Sequence, residues 1–173
     1  MRPVSRPRPL SAFAGGTLYV DAMVLVGLVD AGSVWHPGAR ALFERTLAPV
    51  PELRLVTATL SVDEAVFVLL QELVARPPYG VARSRSQYLA EHPEVVRRLA
   101  SAVAPPVEAL LDLVALEPVL PADVAVVPDE MAASGLLPRD AIHVAVMRRL
   151  GLSALASDDA AFDRCPGLVR FAP

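Results

Sequence analysis

Lysine is missing altogether: all 16 basic side chains in the 173 residues are arginine. That absence excludes a phosphate-binding loop built around a lysine, lysine Schiff-base chemistry, and the lysine that phospho-acceptor receiver domains require. Cysteine occurs once, at Cys165. One thiol can build neither an internal disulfide framework nor a thiolate metal site, so a reducing compartment, the cytoplasm, is expected. Excess positive charge is lacking too, with a net charge of −3 and a pI near 5.6, so any nucleic-acid contact has to use a local patch. No segment is long and uncharged enough to span a membrane, and the apolar run after the basic start is broken by Asp21, so no signal peptide is read. What is present is apolar material: 54% hydrophobic against 20% charged implies one globular domain with a sizeable core.

Residues 1–16, rich in Arg, Pro and then Gly, have no helical or strand period and are expected to form a loose arm ahead of a single domain over 17–173. The organising stretch is Thr17-Leu18-Tyr19-Val20-Asp21, a β-favouring run ending abruptly in a carboxylate. A short helix over Ala22–Leu28 follows, then a second from Pro37 to about Thr46, with Trp35 packed in the core. A proline-bounded loop at Pro49 and Pro51 leads to a second strand, Leu53 to Thr57. The helix after it, roughly Val62 to Arg76, opens with a capping-box pattern in which Glu64 could fold back onto the Ser61 amide. Alternatively Glu64 points into the sheet edge, where a half-buried carboxylate needs a cation or donors. Local sequence leaves both readings open.

Residues 76 to 104 read as a helical excursion from the core. Arg83 and Arg85, near Tyr79 and Tyr88, could contact a phosphate backbone, although a solvated helical face explains them as well. Helical spacing over Val95–Val103 and Val107–Leu116 is separated by Pro105-Pro106, and a short strand is expected near Val119. A helix from about Asp123 to Ser134 stops at Gly135, and Pro138 opens another that runs to Leu150. Asp140 falls in its first turn, where a favourable dipole interaction would suffice to explain it. His143 lies on the same face and reads as a packed, hydrogen-bonded residue. Leu152–Ala156 forms a strand ending in Ser157-Asp158-Asp159, and Leu168–Phe171 is expected as a final edge strand.

The alternation of strands and helices makes this an α/β fold with a parallel sheet. In such a sheet the carboxyl end of each strand and the amino end of the next helix share one edge, which brings Asp21, Glu64 and Asp159 together. The helix from Pro138 runs antiparallel to the strand after it, so Asp140 returns to the same edge. Four carboxylates in one crevice repel, and a hard divalent cation bound through oxygen resolves the repulsion, Mg²⁺ or Mn²⁺ suiting these ligands better than Zn²⁺.

The ordered set Leu-Tyr-Val-Asp21, Glu64, Pro-Arg-Asp140-Ala-Ile-His-Val-Ala and Ser157-Asp-Asp159-Ala-Ala-Phe162 resembles the PIN-domain ribonucleases, and among them the VapC-type toxins of toxin–antitoxin pairs. The resemblance implies an α/β/α sandwich with a mostly parallel central sheet. It also implies metal-dependent RNA cleavage leaving a 3′-hydroxyl and a 5′-phosphate, a small antitoxin protein as partner, and often a homodimer. Asp21, Glu64, Asp140 and Asp159 match the four acidic positions. Ser157 and Phe162 frame Asp159 as the inward residue and leave Asp158 to the turn. Met23 departs from the pattern, standing where the family usually has Asn, Ser or Thr. The expected activity is therefore that of an endoribonuclease in which the carboxylates hold the ion and water attacks a phosphodiester in line. Two rivals are a metal-dependent phosphatase or phosphotransferase with Asp21 as nucleophile, which Met23 and the missing lysine disfavour, and a PIN-like fold kept only for protein binding.

Overall fold

The computed structural model describes residues 7–47 and 53–172, so the loop expected at Pro49 and Pro51 lies outside the described residues. The chain enters through a two-residue strand, β1 (Arg8–Pro9), and a single 3-10 turn, Leu10–Ala12. The next strand, β2 (Gly16–Val20), is followed by α1 (Ala22–Val29) and α2 (His36–Thr46). Then β3 (Leu53–Ala58) passes without a loop into α3 (Thr59–Ala75). Two further helices, α4 (Arg85–Glu91) and α5 (Pro93–Leu113), lead to β4 (Ala115–Glu117). After α6 (Pro121–Ala125), α7 (Val127–Ser134) and α8 (Pro138–Arg149) come β5 (Ala154–Ala156), a 3-10 helix over Ala160–Arg164, and β6 (Val169–Ala172).

The strands form one sheet in the order β1-β6-β5-β2-β3-β4, and every pairing is parallel. Parallel ladders need crossovers that cover both faces, so the central strand must be apolar on both sides. β2 meets that demand: Leu18 and Val20 belong to the core beneath α1, α2 and α3, while Tyr19 points through the opposite face to the core beneath α7 and α8. The two-residue period of a strand thus sends alternate side chains into two separate cores, the α/β/α arrangement expected. Among the described residues no helix is long and apolar enough to cross a membrane.

The structure corrects several expectations. The N-terminal segment is not loose throughout: Arg8 and Pro9 pair with Phe171 and Ala172, and Leu10 and Phe13 are buried. The rings of Phe13 and Phe171 meet edge-on at 5.1 Å. β6 is therefore not the sheet edge. Helix α5 runs straight through Pro105 and Pro106 instead of breaking there. Those prolines leave the carbonyls of Ser101 and Ala102 without helical partners, but both residues are exposed, so water can serve them, and the buried stripe Val95, Leu99, Val103 and Leu110 holds one axis. The helix expected over Asp123–Ser134 is instead two, because Pro128 has no N–H for the carbonyl four residues back and the break falls just before it. The short strand expected near Val119 is β4, which ends at Glu117.

Two further differences bear on function. α3 starts at Thr59 with Ala58 as its cap, so Ser61 is already inside the helix and no capping box forms. Pairing of Ala58 with Glu117 holds the strand up to the turn, and sheet register overrides the local capping pattern. The segment after residue 76 packs back onto α3, where Val74, Leu89, Val95 and Leu99 make a third apolar cluster. It is a helical extension of the domain with its own small core.

Candidate metal centre

β2 lies between β5 and β3, so the residue that leaves its carboxyl end stands at the middle of the rim. That residue is Asp21. Its backbone N–H donates to the Ala156 carbonyl at 3.0 Å, carrying the ladder one step beyond the strand. Its side chain caps α1: Oδ1 accepts from the Ala22 N–H at 2.7 Å, and Oδ2 accepts from the Ser157 hydroxyl at 2.6 Å. Burial pushes the Asp21 carboxyl up, and the Ser157 hydrogen bond, the His143 charge and the Ala22 N–H only partly offset this. Ser157, fully buried at the end of β5, also accepts the Asp159 N–H at 3.1 Å through its hydroxyl, and its carbonyl accepts from Arg170. Arg170 is in turn fixed by Asp163 at 2.8 Å. Ser157 thus orients Asp21 from a rigid base.

Glu64 sits in the second turn of α3 and faces the same rim. Its Oε1 pairs with Arg139, which also reaches Asp63 at 2.8 Å, and its Oε2 lies 3.4 Å from His143 Nε2. Burial alone would raise this carboxyl, but His143 and Arg139 outweigh it and hold it below the usual carboxylate range. Asp140 and His143 stand one turn apart on α8. Asp140 is half-buried and raised, first by burial, then by the charge of Asp159 and, more weakly, by Asp21 and Glu64. Asp140 thus feels the charge of each of the other three acids, Asp159 most strongly.

The tightest group has a different membership. Asp21, Glu64 and His143 each offer one ligand atom, and these atoms all lie within 4.8 Å of one another. His143 is 2% exposed. Its Nδ1 lies 2.8 Å from the Tyr19 hydroxyl, which also accepts the Ala58 N–H at 3.1 Å. The reading of His143 as packed and hydrogen-bonded holds for one side of the ring, while the other side faces the carboxylates. Its sequence signal was the spacing of three from Asp140 on one helical face. Arg139, adjacent to Asp140, carried no signal of its own. Asp159 is exposed and uses Oδ1 to cap the following 3-10 helix through the Ala161 N–H at 2.7 Å, and Asp158 is exposed beside it. Met23 packs against the core cluster beneath α1.

Arg83 and Arg85 lie elsewhere. Arg85 pairs with Glu72 at 2.8 Å and donates to the Val81 carbonyl at 3.2 Å, closing the loop before α4. Glu72 is two turns beyond Glu64 on α3, about 12 Å along the axis at 1.5 Å per residue. Arg83 is exposed and has no ion-pair partner among the described residues.

Residues 18–168 match the family described as PIN domain. The chain belongs to that family, and with it to the nucleases. Its fold is similar to that of PAE2754 from Pyrobaculum aerophilum, with 16% identity, a TM-score of 0.55 and 95% of this chain and 92% of that one covered. A second likeness is to VapBC2 from Rickettsia felis, solved bound to a DNA fragment from their promoter, with 10% identity, a TM-score of 0.51 and coverage of 91% and 98%. VapC20 of Mycobacterium tuberculosis, described as a Sarcin-Ricin loop cleaving toxin, matches at 19% identity and a TM-score of 0.49 over 80% of this chain and 86% of that one. Comparison with curated proteins gave no match.

Proposed function

We propose that this PIN-domain chain is a divalent-metal-dependent endoribonuclease and the toxin of a toxin–antitoxin pair. The observation that carries the reading is the meeting of Asp21, Glu64 and His143 within one ion's reach, with the raised carboxyl of Asp140 beside them. Two acids raised by burial and mutual charge, together with a buried ring nitrogen that lacks a partner, fit a divalent cation. When bound, a Mg²⁺ or Mn²⁺ ion there supplies Lewis-acid activation of water and neutralises charge on the phosphoryl oxygens.

The chain's own groups do the positioning. Ser157 and the Ala22 N–H hold the Asp21 carboxylate in one rotamer. Arg139 holds Glu64 by Oε1 and leaves Oε2 directed into the crevice. Asp140, with the highest exposure to the crevice among the raised acids, is placed to take a proton from a water and pass it to solvent. Burial first, and the charge of Asp159 after it, shift Asp140 in the direction that task requires. The phosphatase alternative is disfavoured because Met23 supplies no second acid two residues after Asp21 and the chain has no lysine to steady a phosphoryl group.

The reading extends to a small antitoxin protein and to a homodimer. An apolar groove between α3 and α5, lined by Val66, Leu70, Val96, Val103 and Val107 with Phe67 exposed nearby, supports a protein partner. The test is incubation of the purified chain with structured RNAs in EDTA, Mg²⁺ and Mn²⁺, alongside Asp21→Asn and Asp140→Asn. Cleavage that needs metal and is lost in both variants is the expected result. Wild-type rates in either variant overturn the site, and no metal-dependent cleavage, with partner binding intact, leaves the protein-binding reading.

A further inference from the structure

Only three buried side-chain polar atoms among the described residues lack a hydrogen-bond partner: Ser61 Oγ, Glu130 Oε2 and His143 Nε2. Two of them are joined through one tyrosine. Tyr19 bonds His143 Nδ1 at 2.8 Å and stands next to the Ser61 hydroxyl without reaching a well-formed hydrogen bond to it. Buried polar atoms left unpaired are costly, so a coincidence of two around one phenol calls for a cause.

The Tyr19 oxygen accepts the Ala58 N–H at 3.1 Å, keeps one more lone pair and has a single proton to give. That lone pair can take a proton from His143 Nδ1 or from the Ser61 hydroxyl, so the bonds inside the relay permit either ring tautomer. The other side of the ring separates them: Nε2 belongs to a residue 2% exposed, faces Asp21 and Glu64, and has no well-formed hydrogen bond. With an ion in the crevice and Nδ1–H given to Tyr19, Nε2 offers that ion its lone pair. A ring nitrogen oriented through its other N–H is the usual arrangement of a metal-bound histidine.

We infer that His143 is a nitrogen ligand in this site, that Tyr19 is the residue that holds its ring through Nδ1, and that the resident ion is accordingly a borderline divalent ion such as Mn²⁺ in preference to Mg²⁺. Imidazole favours transition ions, whereas an all-oxygen set suits Mg²⁺. Little movement is needed: bonds of about 2.1 Å put opposed ligands about 4.2 Å apart, and the three candidate atoms, within 4.8 Å of one another, have to close by no more than the difference, about 0.6 Å. Glu64 can serve through Oε2 while Arg139 keeps Oε1. The other histidines are committed elsewhere, His36 to the Gly27 carbonyl and His92 to Glu94.

The inference rests on the metal-site reading above, but its test does not depend on RNA cleavage. Tag-free full-length chain, stripped with EDTA, is titrated with Mn²⁺ and with Mg²⁺ by calorimetry, and the Mn²⁺ form is examined by pulsed EPR for ¹⁴N coupling. The expected result is a ¹⁴N coupling, at least about tenfold tighter Mn²⁺ than Mg²⁺ binding, loss of the coupling in His143→Ala, and about 10–100-fold weaker Mn²⁺ binding in Tyr19→Phe with the coupling retained. Because the wild-type spectrum needs no variant, a poorly folded His143→Ala does not leave the matter open. Mn²⁺ bound without ¹⁴N coupling, no Mn²⁺ binding, or equal Mg²⁺ and Mn²⁺ affinity overturns the inference. Metal-dependent RNA cleavage without the coupling sinks the inference alone. The coupling without cleavage sinks the ribonuclease reading alone.

Discussion

Asp21, Asp140 and Glu64 carry the same formal charge around one crevice, yet their surroundings push them in opposite directions. Burial raises Asp21 and Asp140, so the folded protein holds their protons more tightly than the unfolded chain does. Each therefore costs stability that is absent below the ordinary carboxylate range and grows as pH rises through the raised folded value. Glu64 is lowered by His143 and Arg139 and contributes stability above its unfolded value, lost as pH falls through the folded one. Thermal melts in EDTA at neutral pH should show it: Asp140→Asn raises Tm and Glu64→Gln lowers it. Relief of about 1 kcal/mol of screened repulsion corresponds to about 2–4 °C in a domain of this size. The Mn²⁺-induced rise in Tm should shrink in Asp140→Asn. An Asp140→Asn protein less stable in EDTA, with an unchanged Mn²⁺ shift, would return Asp140 to its helix-dipole role, worth about 0.3–1 kcal/mol. Asp159 acts on Asp140 by charge and caps the next helix, whereas no such role is found for Asp158. Asp159→Ala should accordingly lose more RNA-cleavage activity than Asp158→Ala, and the reverse order would exchange them.

The helices divide the labour along their length. The amino end of α3 places Glu64 at the rim, while its carboxyl end anchors the extension of α4 and α5 through Val74 and the Glu72–Arg85 pair. That separates two arginines the sequence treats alike. Arg83→Ala should weaken RNA binding and flatten its salt dependence by about one phosphate contact, leaving Tm unchanged. Arg85→Ala should lower Tm instead, because it leaves the loop before α4 without its anchor and Glu72 without a partner. Salt-titrated binding and melts on both variants check this, and an unchanged salt slope in Arg83→Ala would make the extension a structural or dimer element. The capping box around Ser61 is the clearest local signal the structure overrides: sheet register carries β3 to Ala58, so Ser61 becomes a buried helical residue beside Tyr19.

At the scale of the molecule, one parallel sheet brings its carboxyl ends to a single rim and closes its far side with the chain's own N-terminal segment. β1 extends the sheet past β6, and Phe13 fills the space against Phe171. Phe13→Ala should cost about 3 kcal/mol in chemical denaturation, the low end for a buried phenylalanine. A loss below about 0.5 kcal/mol would mean that the segment is dispensable. Its Arg and Pro content hid this strand, since two residues carry no period and proline is tolerated only where no ladder N–H is needed.

What the sequence by itself determined is local and periodic: the strand that ends at Asp21, the helices that start near Glu64 and Asp140, and the Ser157-Asp158-Asp159 turn. Their order along an α/β chain led to the expectation of four acids on one rim, because parallel topology leaves few alternatives for where strand ends and helix starts can meet. Tertiary structure decided which atoms touch. His143 meets Tyr19 across 124 residues, and Arg139 reaches Glu64 from another helix. Arg85 turns to Glu72, and α5 stays whole through two prolines because its buried stripe outweighs two lost backbone hydrogen bonds. Such choices depend on the packing of elements far apart in the chain, where helical and strand periods carry no information about the partner.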